Sequence, residues 1–441
     1  MSELKTLLVF PATRCLEYVG GGPPLGICYL AAMLEKEGLP VKLLDCAIAS
    51  EHEVVNGIKW ADVVGISAPT VLASRALLLA KYAKERAKIV IVGGPHATLQ
   101  PEFFLKSGYV DFVVRGEGEY TLLELLRAID QLNGLMHTKG ISYVKNGKVI
   151  HNPERPLIKN LDEIPFPARH LLPLQRYFRY QKLFMGGPSP RLRMITSRGC
   201  PFSCIFCAKE IFGRFYRSRS PCNVVDEMDL LFDRYGVKYI DFVDDIFTIN
   251  KQRTLELCNE IIRRGLHEKI SWSCETRVDL VDYQLLVNMR KAGCKEIFFG
   301  VESGSQRILN TLNKGFSVEQ IRGAIKAAKR AGLIVNCFLI IGTPSETIQD
   351  IELTKNLIFT TKPDYIGVSI FTPLPGTRAF EMLKDKLYDE ISLDNFSYSN
   401  NLIFRHENFS REYILRLKKS MLVEYKLKSM FSSPAKLIRN S

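Results

Sequence analysis

The sequence predicts an α/β protein with two successive parallel-sheet domains and a short helical C-terminal segment, and three observations predict it. Over the first 140 residues, apolar runs at 6–10, 41–45, 63–67, 89–92 and 112–114 alternate with helical stretches, the pattern of parallel strands joined by crossovers. Six further runs, at 194–196, 239–243, 271–274, 296–299, 335–340 and 366–371, repeat the alternation. A chain of 441 residues also exceeds what one ordinary core supports. The first set reads as a doubly wound, flavodoxin-like sheet over residues 1–140, and the second as an open (β/α)6 barrel over residues 190–389. A hairpin and linker at 141–189 separate them, and residues 390–441 close the chain.

Within the first domain, Leu25 to Glu37 carries helical periodicity and stops at Gly38, the residue type expected just past a helix C-terminus. Doubly wound sheets bind ligands beyond the carboxyl ends of their strands, so the loops there are the candidate site. They are Pro23-Pro24-Leu25-Gly26 after the first strand, Ala68-Pro69-Thr70 after Ser67, Gly93-Gly94-Pro95-His96 after the fourth, and Arg115-Gly116-Glu117-Gly118-Glu119 after the fifth. Their glycines let backbone approach a bulky ligand. No Gly-x-Gly-x-x-Gly opens a helix after the first strand, which disfavours an ordinary dinucleotide site.

Beyond it, Ile141 to His151 alternates about Asn146-Gly147 as a hairpin does, and Ile164-Pro165-Phe166-Pro167 punctuates a connector. The stretch Ser197-Arg198-Gly199-Cys200-Pro201-Phe202-Ser203-Cys204-Ile205-Phe206-Cys207 then brings three thiols at spacings of four and three. A cubane iron–sulfur cluster normally takes four thiolates, so three from one loop leave one iron open to something other than protein. A closed zinc site would want a fourth Cys or His at ribbon-like spacing, and none stands nearby.

The Cys-x3-Cys-x-aromatic-Cys loop formed by Cys200, Cys204, Phe206 and Cys207 resembles that of the radical S-adenosylmethionine superfamily. The resemblance implies a [4Fe-4S] cluster whose open iron is chelated by S-adenosylmethionine, with Phe206 beside the adenine. Phe299-Gly300-Val301-Glu302-Ser303 resembles the element that holds the methionine ammonium, although Val301 departs from the usual Gly. Arg277 faces the same mouth and suits either the methionine carboxylate or a rim salt bridge, and Ile341-Gly342-Thr343-Pro344 looks like the adenine-binding turn. Taken in order, the loops at Pro24, Leu25, Gly26, Ser67, Gly93, Gly94, His96, Gly116 and Glu117 resemble the cobalamin-binding domain of the B12-dependent members. The Asp-x-His-x-x-Gly motif of His-ligated cobalamin proteins is absent, which implies cobalamin without a protein His on cobalt. A second cluster on Cys15, Cys28 and Cys46, as in methylthiotransferases, is disfavoured by their loose spacing.

The resemblance implies methylation of an unactivated carbon of a small molecule or lipid, fed by a donor such as flavodoxin or ferredoxin. The alternatives are oxidative cyclisation with the same cofactors or transfer RNA modification. Net charge is +13, from 60 Lys and Arg against 47 Asp and Glu, which favours an acidic partner without choosing one. The basic aromatic stretch Arg214 to Arg219 could suit nucleic acid but reads better as a surface segment. Apolar spacing at Ile414, Leu417, Met421 and Tyr425 predicts an amphipathic helix that packs on the barrel, with basic residues free to meet an anionic membrane surface. Eleven cysteines, one tight triad and the rest scattered, read as reduced thiols plus a metal site, and the absence of a signal pattern reads as cytoplasmic.

Overall fold

In the computed structural model, residues 4–12, 20–130, 134–185, 187–209, 211–397 and 401–432 are described. The chain forms two compact units, residues 1–200 with 209–241, and residues 201–208 with 242–441. These differ from the linear boundaries at 140 and 189 for a physical reason. The hairpin read as linker, β6 (Ile141–Lys145) and β7 (Lys148–His151), hydrogen-bonds antiparallel to β5 (Phe112–Val114) and becomes the edge of the first sheet.

The other strands of that sheet are β1 (Thr6–Phe10), β2 (Val41–Asp45), β3 (Val63–Ser67) and β4 (Ile89–Gly93). The order β2-β1-β3-β4-β5-β6-β7 is doubly wound, and its direction reverses between β1 and β3. Val63, Val64, Val90 and Val92 are wholly buried, as strands covered on both faces require. Helix α1 (Leu25–Lys36) buries Ile27, Cys28, Ala31 and Leu34, while α2 (Glu51–Trp60) starts from a Ser50–Glu53 capping box. Helix α3 (Ala73–Lys84) makes the crossover from β3 to β4, the short helical turns Pro95–Leu99 and Pro101–Leu105 make the one from β4 to β5, and α4 (Glu119–Asp130) joins β5 to the antiparallel β6.

After the connector and α5 (Leu174–Phe184), strand β8 covers Arg191–Met194 rather than residues 194–196. Its alternation buries Leu192 and Met194, while Arg191 turns to a bidentate contact with Asp241. Ser197–Arg198 forms instead a short antiparallel ribbon, β9, with β10 (Arg217–Ser218). Helix α6 (Pro221–Tyr235) follows, then β11 (Tyr239–Phe242).

The second sheet is open, in the order β15-β14-β13-β12-β11-β8. Its strands β12 (Ser271–Thr276), β13 (Cys294–Glu302), β14 (Ile334–Ile341) and β15 (Tyr365–Ile370) pair in parallel, as the sequence predicts. Helices α7 (Lys251–Arg263), α8 (Tyr283–Lys291), α9 (Gln306–Thr311), α10 (Val318–Arg330) and α11 (Ile348–Thr361) supply the crossovers. The short α12 (Arg378–Leu383) leads to α13 (Arg411–Ser432), which buries Ile414, Leu417, Met421 and Tyr425 as expected. Tyr425 donates to the carbonyl of Pro363, anchoring the helix beside β15. Among the described residues no helix is long and apolar enough to cross a membrane.

In the first unit, Glu227 is fully buried and accepts from Arg169 at 2.7 Å and from Arg219. Replacing it with Ala leaves two buried guanidinium groups without their counter-charge, at a cost of about 3–5 kcal/mol. The expected outcome for Glu227→Ala is a lower denaturation midpoint for the first unit, with α13 burial, followed by protease protection, unchanged.

Candidate active site

The first unit holds a cavity of about 300 Å³ at the carboxyl ends of β1, β3, β4 and β5. Gly26, Ser67, Gly93, Gly94, Gly116 and Glu117, all named in the candidate loops, line it. Gly94 adopts φ +95°, where a Cβ would lie 3.1 Å from the Ala68 nitrogen, so the backbone there is closed to larger residues. At Gly26 and Gly116 a Cβ would meet nothing within 4 Å and would project into free space. The wall is therefore a cradle made by missing side chains, which fits one arm of a large ligand such as cobalamin.

Pro24, Leu25 and His96 do not line this cavity. Leu25 turns into the core as the first residue of α1. The His96 ring lies edge-on to Phe103 and Phe104, and burial pushes its pKa down to about 4, making it a neutral core histidine. Sequence reading missed Tyr29, Phe212 and the side chain of Arg198, which line the cavity together with Glu119 of the loop named above. Arg198 donates to Glu117 at 2.9 Å and to Glu119 at 2.6 Å.

Cys200 follows β9, and the chain passes into the second unit after it. Gly199 sits at φ +87°, with the Phe215 carbonyl 2.2 Å from where a Cβ would be. In the second unit Ile205 is buried, donates its N–H to the Leu312 carbonyl and accepts from the Ala379 N–H. Asn313 donates to the Ser203 carbonyl at 2.8 Å. These bonds fix the middle of the loop. Cys200 and Cys204 are half-buried and Cys207 exposed, and none is in a disulfide. Burial pushes the Cys28 and Cys258 thiols up to about 12 and Cys46 to about 11, and it raises Cys274 and Cys337 as well. Thiolate donors are thus disfavoured at Cys28 and Cys46, which argues against the second cluster, whose Cys15 lies outside the described residues.

The sequence predicts that the three thiols converge. Among the described residues, however, no three His, Cys, Asp or Glu side chains are gathered closely enough to hold a metal. Sulfur–metal bonds are what would draw thiolates together, so the loop presents the right donors without holding them in place. The donor chemistry fits an iron–sulfur cluster.

The mouth of the second unit is tied together more tightly than the sequence shows. Glu302 takes a left-handed φ of +64° at an irregularity in β13, a strained geometry for a non-glycine residue. It accepts from Lys314 at 2.8 Å in a buried pair. A Cβ on Gly300 would lie 2.7 Å from the Glu302 carboxylate, so the close approach that Gly300 permits is by Glu302 itself. Lys314 lies 5.8 Å from the Phe206 ring centre. Arg277 is bidentate to Asp279, donates to the Lys314 carbonyl and stacks 3.6 Å from the Phe202 ring, leaving Nη1 buried without a partner. That orphan donor fits an anionic group such as the methionine carboxylate.

Ser303 is a structural residue, its hydroxyl bonded to Thr354 and to the Ser305 N–H. The Gly342 turn differs from expectation in a similar way. Its amide and that of Thr343 donate to Glu346, and Leu402 and Ile414 lie over Gly342.

A doubly wound sheet with a glycine-walled cavity, followed by an open parallel sheet and a three-thiol loop, defines an enzyme built around two large cofactors. Residues 13–126 match the B12 binding domain and residues 194–358 the Radical SAM superfamily. An uncharacterized methyltransferase of Pyrococcus horikoshii is 39% identical over 86% of this chain and 83% of its own length. An anaerobic magnesium-protoporphyrin IX monomethyl ester cyclase of Cereibacter sphaeroides is 31% identical over 84% of this chain and 62% of its own. The radical S-adenosylmethionine methyltransferase TsrM of Kitasatospora setae, solved with cobalamin and a [4Fe-4S] cluster, shares the fold. Its TM-score is 0.73 at 17% identity, covering 87% of this chain and 75% of that one. The chain belongs to the cobalamin-binding radical S-adenosylmethionine enzymes, whose cofactors are a [4Fe-4S] cluster, S-adenosylmethionine and cobalamin.

Two outcomes are expected. Gly199→Ala drives a methyl group into the Phe215 carbonyl, so iron and sulfide bound after anaerobic reconstitution fall to near the level of a triple Cys→Ala variant. Burial raises Glu346 from 4.5 to about 8, so folding tightens its hold on a proton. That stabilisation is fully present below 4.5 and is lost as pH rises through 8. Denaturation of the second unit between pH 6 and 9 should show stability falling, and Glu346→Gln should flatten the slope.

Proposed function

We propose that this chain methylates an unactivated carbon of a small-molecule or lipid substrate. The observation that carries the reading is the glycine-walled cavity at the strand ends of the first unit, in a chain whose accessible thiol triad suits a cluster. When bound, the cluster with S-adenosylmethionine supplies a hydrogen-abstracting radical and cobalamin supplies the methyl group.

The protein's own residues hold and orient. Cys200, Cys204 and Cys207 provide three thiolates, and Phe206 offers an aromatic face beside the Lys314 ammonium. Glu302 presents a carboxylate to a second cation, and Arg277 Nη1 presents its spare donor to an anion. Around the cavity, Leu8, Ile66, Ile91 and Val114 exclude water, which keeps reactive species from being quenched.

Oxidative cyclisation is the second reading, favoured by the similarity to the anaerobic cyclase over 84% of this chain. The partners we propose are a small-molecule or lipid substrate and an acidic one-electron donor such as flavodoxin or ferredoxin, in the cytoplasm. The +13 charge supports an acidic donor. For a lipid, the support is α13, whose outer face exposes Lys419, Lys426 and Lys428 beside Val423 and Leu427.

The test supplies reconstituted enzyme, strong reductant and S-adenosylmethionine with a metabolite and lipid extract from cells lacking the protein. The expected outcome is 5′-deoxyadenosine together with S-adenosylhomocysteine, and a product heavier by one methylene. Deoxyadenosine and a converted substrate without S-adenosylhomocysteine would move the assignment to cyclisation.

A further inference from the structure

Arg198 and Arg217 face each other directly across the β9–β10 ribbon. Like charges opposite one another in a ladder repel, more so when buried, and Arg198 is only 4% exposed. Glu117 resolves the conflict. One oxygen accepts from Arg198 at 2.9 Å, and both accept from Arg217, at 2.9 and 2.8 Å. Glu119 takes the second terminal Arg198 nitrogen at 2.6 Å, so two cations and two anions form a charge-balanced quartet, the chain Glu119–Arg198–Glu117–Arg217. Arg217 adds bonds to the carbonyls of Ile158 and Phe212.

The two ends of this quartet are both functional. Glu117 and Glu119 belong to the loop that lines the cavity with Gly116 and Gly118. Arg198 lies in the cavity wall between the Tyr29 and Phe212 rings, 5.4 and 5.1 Å from their centres, and both rings line the same cavity. Two residues along the chain stands Cys200. The intervening Gly199 sits where any side chain would meet the Phe215 carbonyl, and Cys200 is held through its N–H to the Gly213 carbonyl and through its carbonyl to Lys209.

We propose that Arg198 is a positioning residue that links occupancy of the cavity to the geometry at Cys200. A ligand seated against Tyr29, Phe212 and Glu117 sets the guanidinium, and the rigid Arg198-Gly199-Cys200 step carries that setting to the first cluster thiol. Lysine replaces it only in part, because one ammonium does not span two carboxylates as a planar fork does. The inference rests on the reading of the cavity as the cobalamin site.

The test measures the dissociation constant of hydroxocobalamin optically on full-length protein, with and without the reconstituted cluster. Linkage requires that two coupled sites alter each other's affinity by the same factor, commonly about 5- to 150-fold. Wild type should show such a factor. In Arg198→Met it should collapse to about one, with iron and sulfide content unchanged and Arg198→Lys intermediate. Glu119→Gln, which keeps the side-chain shape, should lower the factor as well, and it stands in if Arg198→Met fails to fold. A merely structural Arg198 would weaken binding equally in both cluster states, and that result overturns the proposal, as does a wild-type factor of one. Gly26→Phe, whose ring fills the cavity from α1, separates the two readings. If it leaves hydroxocobalamin binding intact, the cavity assignment falls. If it abolishes binding while Arg198→Met retains the wild-type factor, only the role of Arg198 falls.

Discussion

The first unit is organised around the burial of four guanidinium groups against three carboxylates. Arg169 and Arg219 share Glu227, Arg198 and Arg217 share Glu117, and Arg198 also takes Glu119. Desolvating an arginine costs several kcal/mol unless its donors are met in good geometry, so each carboxylate must sit where two chain segments cross. Those segments are the connector before α5, the β9–β10 ribbon, α6 and the loop beyond β5. Charge satisfaction thereby fixes the register of pieces that have little regular structure of their own, and the cavity loop and the strand before Cys200 are among them.

Much of this was legible in the sequence where local periodicity and backbone chemistry decide the outcome. Val63 to Ser67 and Ile89 to Val92 read as buried parallel strands because nothing polar interrupts them, and Gly38 ends α1 because a left-handed residue is needed there. The strand-end loops were legible for the same reason, since glycine is costly except where room is required. What stayed hidden was pairing over long separations. Glu117 meets Arg217 across 100 residues, and no local pattern announces that a carboxylate in one loop neutralises a ribbon elsewhere. Lys314 is a like case. It looks like an ordinary basic residue after α9 until the fold brings it to Glu302.

The thiols show how burial sorts residues that composition treats alike. Cys28, Cys258, Cys274 and Cys337 behave as small hydrophobes in the core, where a thiolate would be stranded without water or counter-charge. Cys200 and Cys204 are half-buried and Cys207 exposed, on a loop whose middle is fixed by the two backbone bonds of Ile205. Spacing nominated the triad, and exposure is what makes it chemically available.

Strain in the second unit sorts its residues in the same way. A glutamate held at positive φ beside a glycine persists only where its surroundings over-determine it, and at Glu302 they do so through Lys314 and the irregular step in β13. The same lysine offers its backbone carbonyl to Arg277, which stacks on Phe202 of the thiol loop. Loop aromatics, arginine, lysine and glutamate thus form one chain of contacts in which each charge is met except Arg277 Nη1. A buried donor left open in an otherwise satisfied network costs free energy, a cost that an anion seated there would recover. Because Arg277 is already fixed by Asp279 and Phe202, little ordering would remain for it to undergo if an anion bound there, in contrast to a flexible surface charge.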